Sequence, residues 1–253
     1  MELLRTEHIS KSYDSRLIIR DINVRLDEGE LVSLLGLSGS GKTTLFQVIS
    51  GLITPDTGKV ILSGADITGK AGHISYMLQK DLLLKHKKVI DNVTLPLVIG
   101  GMKKDQTRKQ ALPYFEQFGL EGTEDKYPAQ LSGGMRQRAA LLRTYLSSHG
   151  AALLDEPFSA LDTITKSQMH SWYQDVMGKI NLSTMLITHD IDEAILLSDR
   201  IYLMTGKPGE IHDELRITLP RSERKDFNLT AEFLRYKQEI INRLKSESAG
   251  SKE

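Results

Sequence analysis

Gly36-Leu37-Ser38-Gly39-Ser40-Gly41-Lys42-Thr43 places glycines, hydroxyls and one lysine at the spacing G-x-x-x-x-G-K-[ST], a pattern built to hold a chain of phosphates. The glycines let the backbone curl and aim several N–H groups inward. A helix starting at the loop adds the positive end of its dipole. Lys42 brings a point charge toward β- and γ-phosphates, Thr43 offers a hydroxyl to Mg²⁺, and Thr44 follows in the same cradle. A Gly/Ser-rich surface turn is the competing reading, and the surrounding residues weigh against it.

Two further stretches carry chemistry. Leu153-Leu154-Asp155-Glu156-Pro157 puts two carboxylates at the end of an apolar run. Such a pair is costly unless a cation or hydrogen bonds compensate. Beside a phosphate loop, Asp155 can share Mg²⁺ with Thr43, and Glu156 can orient or deprotonate an attacking water. Leu131-Ser132-Gly133-Gly134-Met135-Arg136-Gln137-Arg138 is a second glycine-rich helix start. Ser132 can cap it, and Gly133 and Gly134 expose N–H groups at the dipole's positive end. One phosphate loop already covers one side of a triphosphate. The second anion site therefore serves another ligand, or meets the nucleotide from another copy.

These groups need a scaffold. The apolar run Leu31 to Leu35 precedes the loop and reads as a buried strand. Leu45, Val48, Ile49 and Leu52 then follow the spacing of a buried helix face, with Gly51 and Pro55 as a helix stop. Leu3 to Val32 alternates in short runs, as strands with one solvated face do. Val60-Ile61-Leu62 and Ile74 to Leu78 read as strands, as do Ala151 to Leu154 and Thr184 to Thr188, with helical patterns between and after them. From Leu82 to Leu146 the texture is helical and charged. Alternation of strand and helix around a phosphate loop implies an α/β fold with a mostly parallel sheet, whose ligands sit at the carboxyl ends of strands. Phe233, Leu234, Tyr236, Ile240, Ile241 and Leu244 form a helical stripe that packs onto the domain or onto a partner. The tail after Lys245 reads as disordered.

Composition narrows the classes. The chain has 253 residues, with 33 basic and 33 acidic side chains. That balance gives no electrostatic push toward nucleic acid or an anionic membrane, so no nucleic-acid partner is expected. There is no cysteine, which excludes disulfides, iron–sulfur clusters and thiolate zinc sites. No apolar run reaches the roughly twenty residues that cross a bilayer. A membrane function would need another chain to supply the membrane part.

The order of Gly36–Thr43, Gln79, Leu131-Ser132-Gly133-Gly134, Leu154-Asp155-Glu156-Pro157, Ser159-Ala160-Leu161-Asp162 and Thr188-His189-Asp190 resembles the ATP-binding subunits of ABC transporters, from about Leu3 to Leu219. The resemblance implies a P-loop NTPase core with an N-terminal antiparallel β subdomain (1–81 plus 147–220), an inserted helical subdomain (82–146), and a C-terminal helix and tail (221–253). It implies that Tyr13 stacks on adenine. It implies that Gln79 contacts Mg²⁺ and the water, that His189 contacts the γ-phosphate, and that Asp162 joins two subunits. ATP and Mg²⁺ are the implied cofactors. Two copies would face head to tail, each ATP gripped by Gly36–Thr43 of one and Ser132-Gly133-Gly134 of the other. Transmembrane permease chains, and through them a solute-binding protein, are the implied partners, which places the chain at the cytoplasmic face of the membrane.

The run Leu215-Arg216-Ile217-Thr218-Leu219-Pro220-Arg221 with the following helix resembles the nitrate/sulfonate/taurine importers, whose relatives carry thiamine precursors. An ATPase for assembling another complex and an exporter ATPase are the alternatives. A generic P-loop kinase has no use for Leu131–Gly134. One departure is Leu84-Lys85-His86-Lys87-Lys88-Val89, where the family has Leu-Pro-Trp-like residues at a region that meets the membrane partner. It reads either as a solvated basic loop or as a match to an acidic segment on that partner.

Overall fold

The computed structural model describes residues 1–148, 150–180, 182–224 and 226–250, with side chains to 245. The alternating N-terminal stretch forms β1 (Glu2–Tyr13), β2 (Arg16–Ile22) and β3 (Arg25–Asp27). β1 and β2 make a hairpin closed by Asp14 and Ser15 at φ 48° and 65°, a turn whose twist suits antiparallel strands. β4 (Leu31–Gly36) is buried at every position, as its unbroken apolar character requires. The phosphate loop then leads into α1 (Lys42–Ile49). Leu45, Val48 and Ile49 are fully buried. The helix stops at Gly51, which takes φ +75° and so ends it in a left-handed turn. Leu52, expected on the buried face, falls beyond this stop and is 60% exposed.

β5 (Thr57–Leu62) and β6 (Ala65–Asp66) complete an antiparallel sheet of order β2-β1-β5-β6, with β3 on β1. β7 (Ser75–Met77) belongs to a second sheet. The charged stretch after it holds α2 (Val89–Val93), α3 (Leu95–Ile99), α4 (Lys104–Gln117) and α5 (Gly133–Leu146). The rest of the chain supplies β8 (Ala151–Asp155), α6 (Thr163–Met177), β9 (Ser183–Thr188), α7 (Ile191–Leu197), β10 (Arg200–Thr205), β11 (Glu210–Arg216) and α8 (Ala231–Gly250).

The second sheet has the order β11-β10-β4-β9-β8-β7. All its pairs are parallel except β10–β11. β10 and β11 were not separated from the helical texture in the sequence. A charged first residue disguises β10. Arg200 is fully buried, yet its guanidinium donates to Glu30 at 2.6 and 2.9 Å, to the Tyr202 hydroxyl at 3.0 Å and to the Arg25 carbonyl at 3.0 Å. A buried cation is tolerable when its donors are met this way.

One apolar cluster joins Leu83, Phe115 and Leu142 to Leu154 and Tyr173, so the helices α2, α4, α5 and α6 cover one face of the parallel sheet. A second fills the space between the two sheets around α1. A third holds α8 through Phe233, Tyr236 and Ile240 against Ala194, Ile195 and Leu203. α8 therefore packs on its own chain, with Leu234 left 61% exposed. Its backbone continues to Gly250, into the tail read as disordered, whose last three residues lie outside the described residues. No described helix is long and apolar enough to cross a membrane.

Register decides what meets at the sheet's edge. Leu35 lies opposite Thr188, Gly36 opposite Met204, and Asp155 opposite Ile187. The carboxyl ends of β4, β8 and β9 are thus level, and the loops leaving them are neighbours.

Candidate functional site

Gly36 to Thr43 leaves the end of β4 and wraps over the start of α1. Gly39 and Gly41 take φ +82° and +93°, where a side chain is strained. A Cβ on Gly41 would also overlap Ile19 of β2. Lys42 is buried, and its ammonium spans the loop, donating to the carbonyls of Gly36 and Leu37 at 2.8 Å each. Burial pulls it below the usual lysine range, while Glu156 and Asp155 pull the other way. Ser38, Gly39 and Thr43 are exposed, and Thr44 is half-buried. Ser40 is buried, and its hydroxyl has no partner among the described residues. A curled backbone with an unmet hydroxyl and a captive ammonium suits a phosphate chain.

Asp155 ends β8 directly across from this loop. Its Oδ2 accepts from the Thr43 hydroxyl at 3.1 Å and from the Tyr76 hydroxyl at 3.0 Å. Burial pushes the carboxyl above the usual range and Glu156 adds to the shift, against the opposite effects of Tyr76, Thr43 and Lys42. A cation at this oxygen would relieve that cost. The Asp155 carboxylate and the Thr43 hydroxyl are hard oxygen donors of the kind Mg²⁺ selects. Tyr76, on β7, escaped the sequence reading. Only its strand position and a hydroxyl aimed along the sheet could have marked it.

Glu156 follows at φ +45°, an uncommon backbone for a residue with a side chain. Its N–H donates to the Ile187 carbonyl at 3.0 Å, which locks the turn to β9. The carboxylate is held from both sides. Gln79 Nε2 donates to Oε2 at 3.1 Å and to Ser159 Oγ at 3.3 Å, and His189 Nδ1 lies 3.0 Å from Oε1. Residues from three separate loops, after β7, β8 and β9, thus converge on one carboxylate. The segment after Gln79 is gripped by α5. Arg143 donates to the carbonyls of Asp81 and Leu82 at 2.5 and 3.0 Å, and Arg136 to the Asp81 carboxylate at 3.3 Å. Gln137, also on α5, donates to the Pro157 carbonyl beside Glu156.

The second glycine-rich start stands apart. Ser132 caps α5 by accepting the Met135 N–H at 3.2 Å. Asp162 caps α6, accepting the Thr165 N–H at 3.0 Å and its hydroxyl at 2.6 Å. Ser132, Gly133, Gly134 and Asp162 line one cavity of about 330 Å³. None of them shares a hydrogen bond with Gly36–Thr43, Asp155 or Glu156 among the described residues. Tyr13 closes β1 at the hairpin, 41% exposed, with Lys11 Nζ 5.8 Å from its ring centre. The structure gathers Lys42, Thr43, Asp155, Glu156, Gln79 and His189. It leaves Tyr13 at one side, and the Ser132 and Asp162 caps at another.

The chain is similar to known proteins in sequence and in fold. The family model described as ABC transporter matches residues 19–159. The formylaminopyrimidine import ATP-binding protein ThiZ of Halalkalibacterium halodurans is 43% identical over 230 residues, covering 90% of this chain and 89% of that protein. The nitrate import ATP-binding protein NrtD of a Synechocystis strain is 36% identical, covering 91% and 89%. Among solved structures, the dimeric ATP-binding cassette MJ0796 in a post-hydrolysis state with ADP and Pi superposes with a TM-score of 0.72 at 28% identity, covering 86% of this chain and all of that one. The chain belongs to the ABC transporter family, as an ATP-binding subunit that hydrolyses ATP.

Proposed function

We propose that two copies of this chain, docked head to tail at the cytoplasmic face of a membrane, hydrolyse ATP to drive import of a small solute through separate permease chains. The solute class is that of the nitrate, taurine and thiamine-precursor importers, served in turn by a solute-binding protein. The names of the relatives support import, and the dimeric neighbour supports pairing. The observation that carries the chemistry is the Glu156 carboxylate, held between Gln79 and His189 beside the Thr43–Asp155 pair.

In this reading the N–H groups of Gly36 to Thr44 and the Lys42 ammonium hold the β- and γ-phosphates, and Tyr13 stacks on adenine. Thr43, Asp155 and Gln79 would hold Mg²⁺, which would neutralise charge on the phosphate oxygens. Glu156 accepts a proton as the water oxygen bonds to the γ-phosphorus and the bond to the β-phosphate bridge breaks. Gln79 and His189 keep that carboxylate aimed, and His189 turns to the γ-phosphate. The helix starts at Ser132–Gly134 and Asp162, with Ser132 and Asp162 exposed, complete the partner copy's site, which accounts for a second anion-binding helix start on one chain. Closure of the pair around two ATP molecules, and reopening after hydrolysis, is the motion passed to the permease.

Glu156→Gln tests this. The variant is expected to bind ATP, to form a stable ATP-bound dimer in size-exclusion chromatography, and to lose turnover by roughly 10²-fold or more. Wild-type turnover in that variant would remove Glu156 as the base.

A further inference from the structure

We infer that Lys166 is a positioning residue for ATP hydrolysis: by gripping Asp190 it sets where His189 points. The inference rests on the reading of His189 as a γ-phosphate contact. His189 sits at the end of β9, and the next residue, Asp190, builds the turn that carries it. The Asp190 N–H donates to the Thr188 hydroxyl at 3.0 Å. Its Oδ1 accepts the N–H groups of Asp192 and Glu193 at 2.9 and 3.2 Å, which caps α7. Its Oδ2 is taken by Lys166 Nζ at 2.5 Å. Both carboxylate oxygens and the N–H of Asp190 are therefore committed, and among the described residues Lys166 is the only one of these partners that lies far from Asp190 in the chain.

Lys166 is itself constrained. Its ammonium also lies 3.3 Å from Glu193 Oε2, which is 3.3 Å from His170 Nε2 on the next turn of α6. The lysine side chain is 20% exposed and that of Glu193 3%. Charge-assisted bonds shielded from water hold geometry better than exposed ones. Lys166 stands one turn after the Asp162 cap, and its N–H donates to the Asp162 carbonyl at 2.8 Å. The same turn of α6 faces α5, where a Cβ on Gly134 would come 3.5 Å from Thr165 Cγ2. One helical turn thus touches the Ser132–Gly134 start on one side and holds the His189 turn on the other. A shift in that turn reaches the His189 turn through the Lys166–Asp190 ion pair, with the Lys166–Glu193 pair beside it.

Removing the ammonium releases Asp190 Oδ2 while the Oδ1 cap of α7 stays, and it touches neither the phosphate loop nor Glu156. Lys166→Met is expected to lower kcat roughly tenfold or more, the scale of a misplaced group near the chemistry. ATP affinity and KM should stay within about twofold. Lys166→Arg, which keeps the charge and the reach, should recover most of kcat. In ¹⁵N-histidine spectra of the full chain, the ring signal assigned to His189 with His189→Ala should move in Lys166→Met and return in Lys166→Arg. A role confined to stability would lower Tm and leave that signal still. An unchanged kcat in folded Lys166→Met, or a lost kcat with an unmoved ring signal, overturns the inference. Should Lys166→Met fail to fold, Asp190→Asn, which keeps the cap acceptor and removes the paired charge, is read by the same two criteria. His189→Ala serves as the separating control. If it retains kcat, the reading of the site fails; if it loses kcat while Lys166→Met does not, only the Lys166 inference fails.

Discussion

A methyl group added at Gly209 should damage the phosphate loop although Gly209 is remote from it in sequence. Gly209 lies between β10 and β11, and its backbone is tied to β2. Its N–H donates to the Ile18 carbonyl at 2.8 Å and its carbonyl accepts the Arg20 N–H at 3.0 Å. A Cβ built there would overlap the Ser40 carbonyl oxygen and come 3.0 Å from the Ser40 carbonyl carbon and 2.7 Å from Met204 Cε. Cβ atoms essentially never come within 3.0 Å of another heavy atom, so the overlap with the Ser40 carbonyl oxygen needs a shift of at least ~1.2 Å. The Met204 methyl can rotate away, but the Ser40 backbone cannot. The Gly209 turn is pinned on its other side, so the phosphate loop yields. Overpacking of this kind costs ~1–3 kcal/mol. Where the loop relaxes in the free protein, rebuilding the cradle on binding takes that free energy from affinity, a rise in Kd for ATP and ADP of roughly 5- to 150-fold. Where it does not relax, the strain lowers Tm by about 2–4 °C for each kcal/mol. Fluorescent-nucleotide titration and thermal scans on Gly209→Ala measure both. Gly178→Ala is the control, since its Cβ would meet the Gln174 carbonyl oxygen at an ordinary 3.5 Å. Gly209→Ala with unchanged Kd and unchanged Tm would refute the reasoning.

Ser132→Arg is expected to cut hydrolysis by roughly tenfold or more while the isolated chain binds ATP as before; lost binding in isolated monomers would argue against an interfacial role. Asp155→Asn should raise the Tm of the nucleotide-free protein at neutral pH and abolish hydrolysis. Because burial raises the Asp155 pKa above its unfolded value, the ionised group subtracts stability as pH climbs from the unfolded value through the folded one, and the loss is complete above it. The gain in thermal scans should therefore shrink in acid, and a gain that grows as pH falls would contradict the assignment. Thr43 and Tyr76 both donate to the same carboxylate oxygen, which the asparagine oxygen replaces. Lys85→Glu with Lys87→Glu is expected to slow assembly with an acidic permease segment by about tenfold at low salt and less at high salt. Unchanged assembly removes that partner chemistry. Lys88 is left out because it is paired with Asp125 at 2.6 Å, so reversing it would break a bond within the chain.

The basic segment shows how tertiary contacts alter a sequence reading. Three lysines in a row of charges look equivalent. The Asn92 side chain, fully buried, donates to the carbonyls of Leu84, Lys87 and Lys88 at 3.1 Å and accepts the Leu84 N–H at 2.6 Å. That fixes the loop and turns Lys88 toward Asp125, which a linear pattern does not reveal. The helix stop at Gly51 was legible because left-handed backbone favours glycine. The exposure of Leu52 was not, since a periodicity count does not know where the helix ends.

What the sequence alone determined was local chemistry and its chain order: the Gly36–Thr43 cradle, the Asp155–Glu156 pair after a buried run, the capped start at Ser132, and the alternation that makes a parallel sheet. Such features depend on neighbours within a few residues, where backbone freedom, capping and hydrophobic period act. Tertiary structure alone decided which of them meet. Strand register levelled the ends of β4, β8 and β9 and brought Gln79, Glu156 and His189 together. The same packing recruited Tyr76, Arg143, Lys166 and Gly209. Each of these acts across a gap of many residues, through a distance that no local pattern encodes.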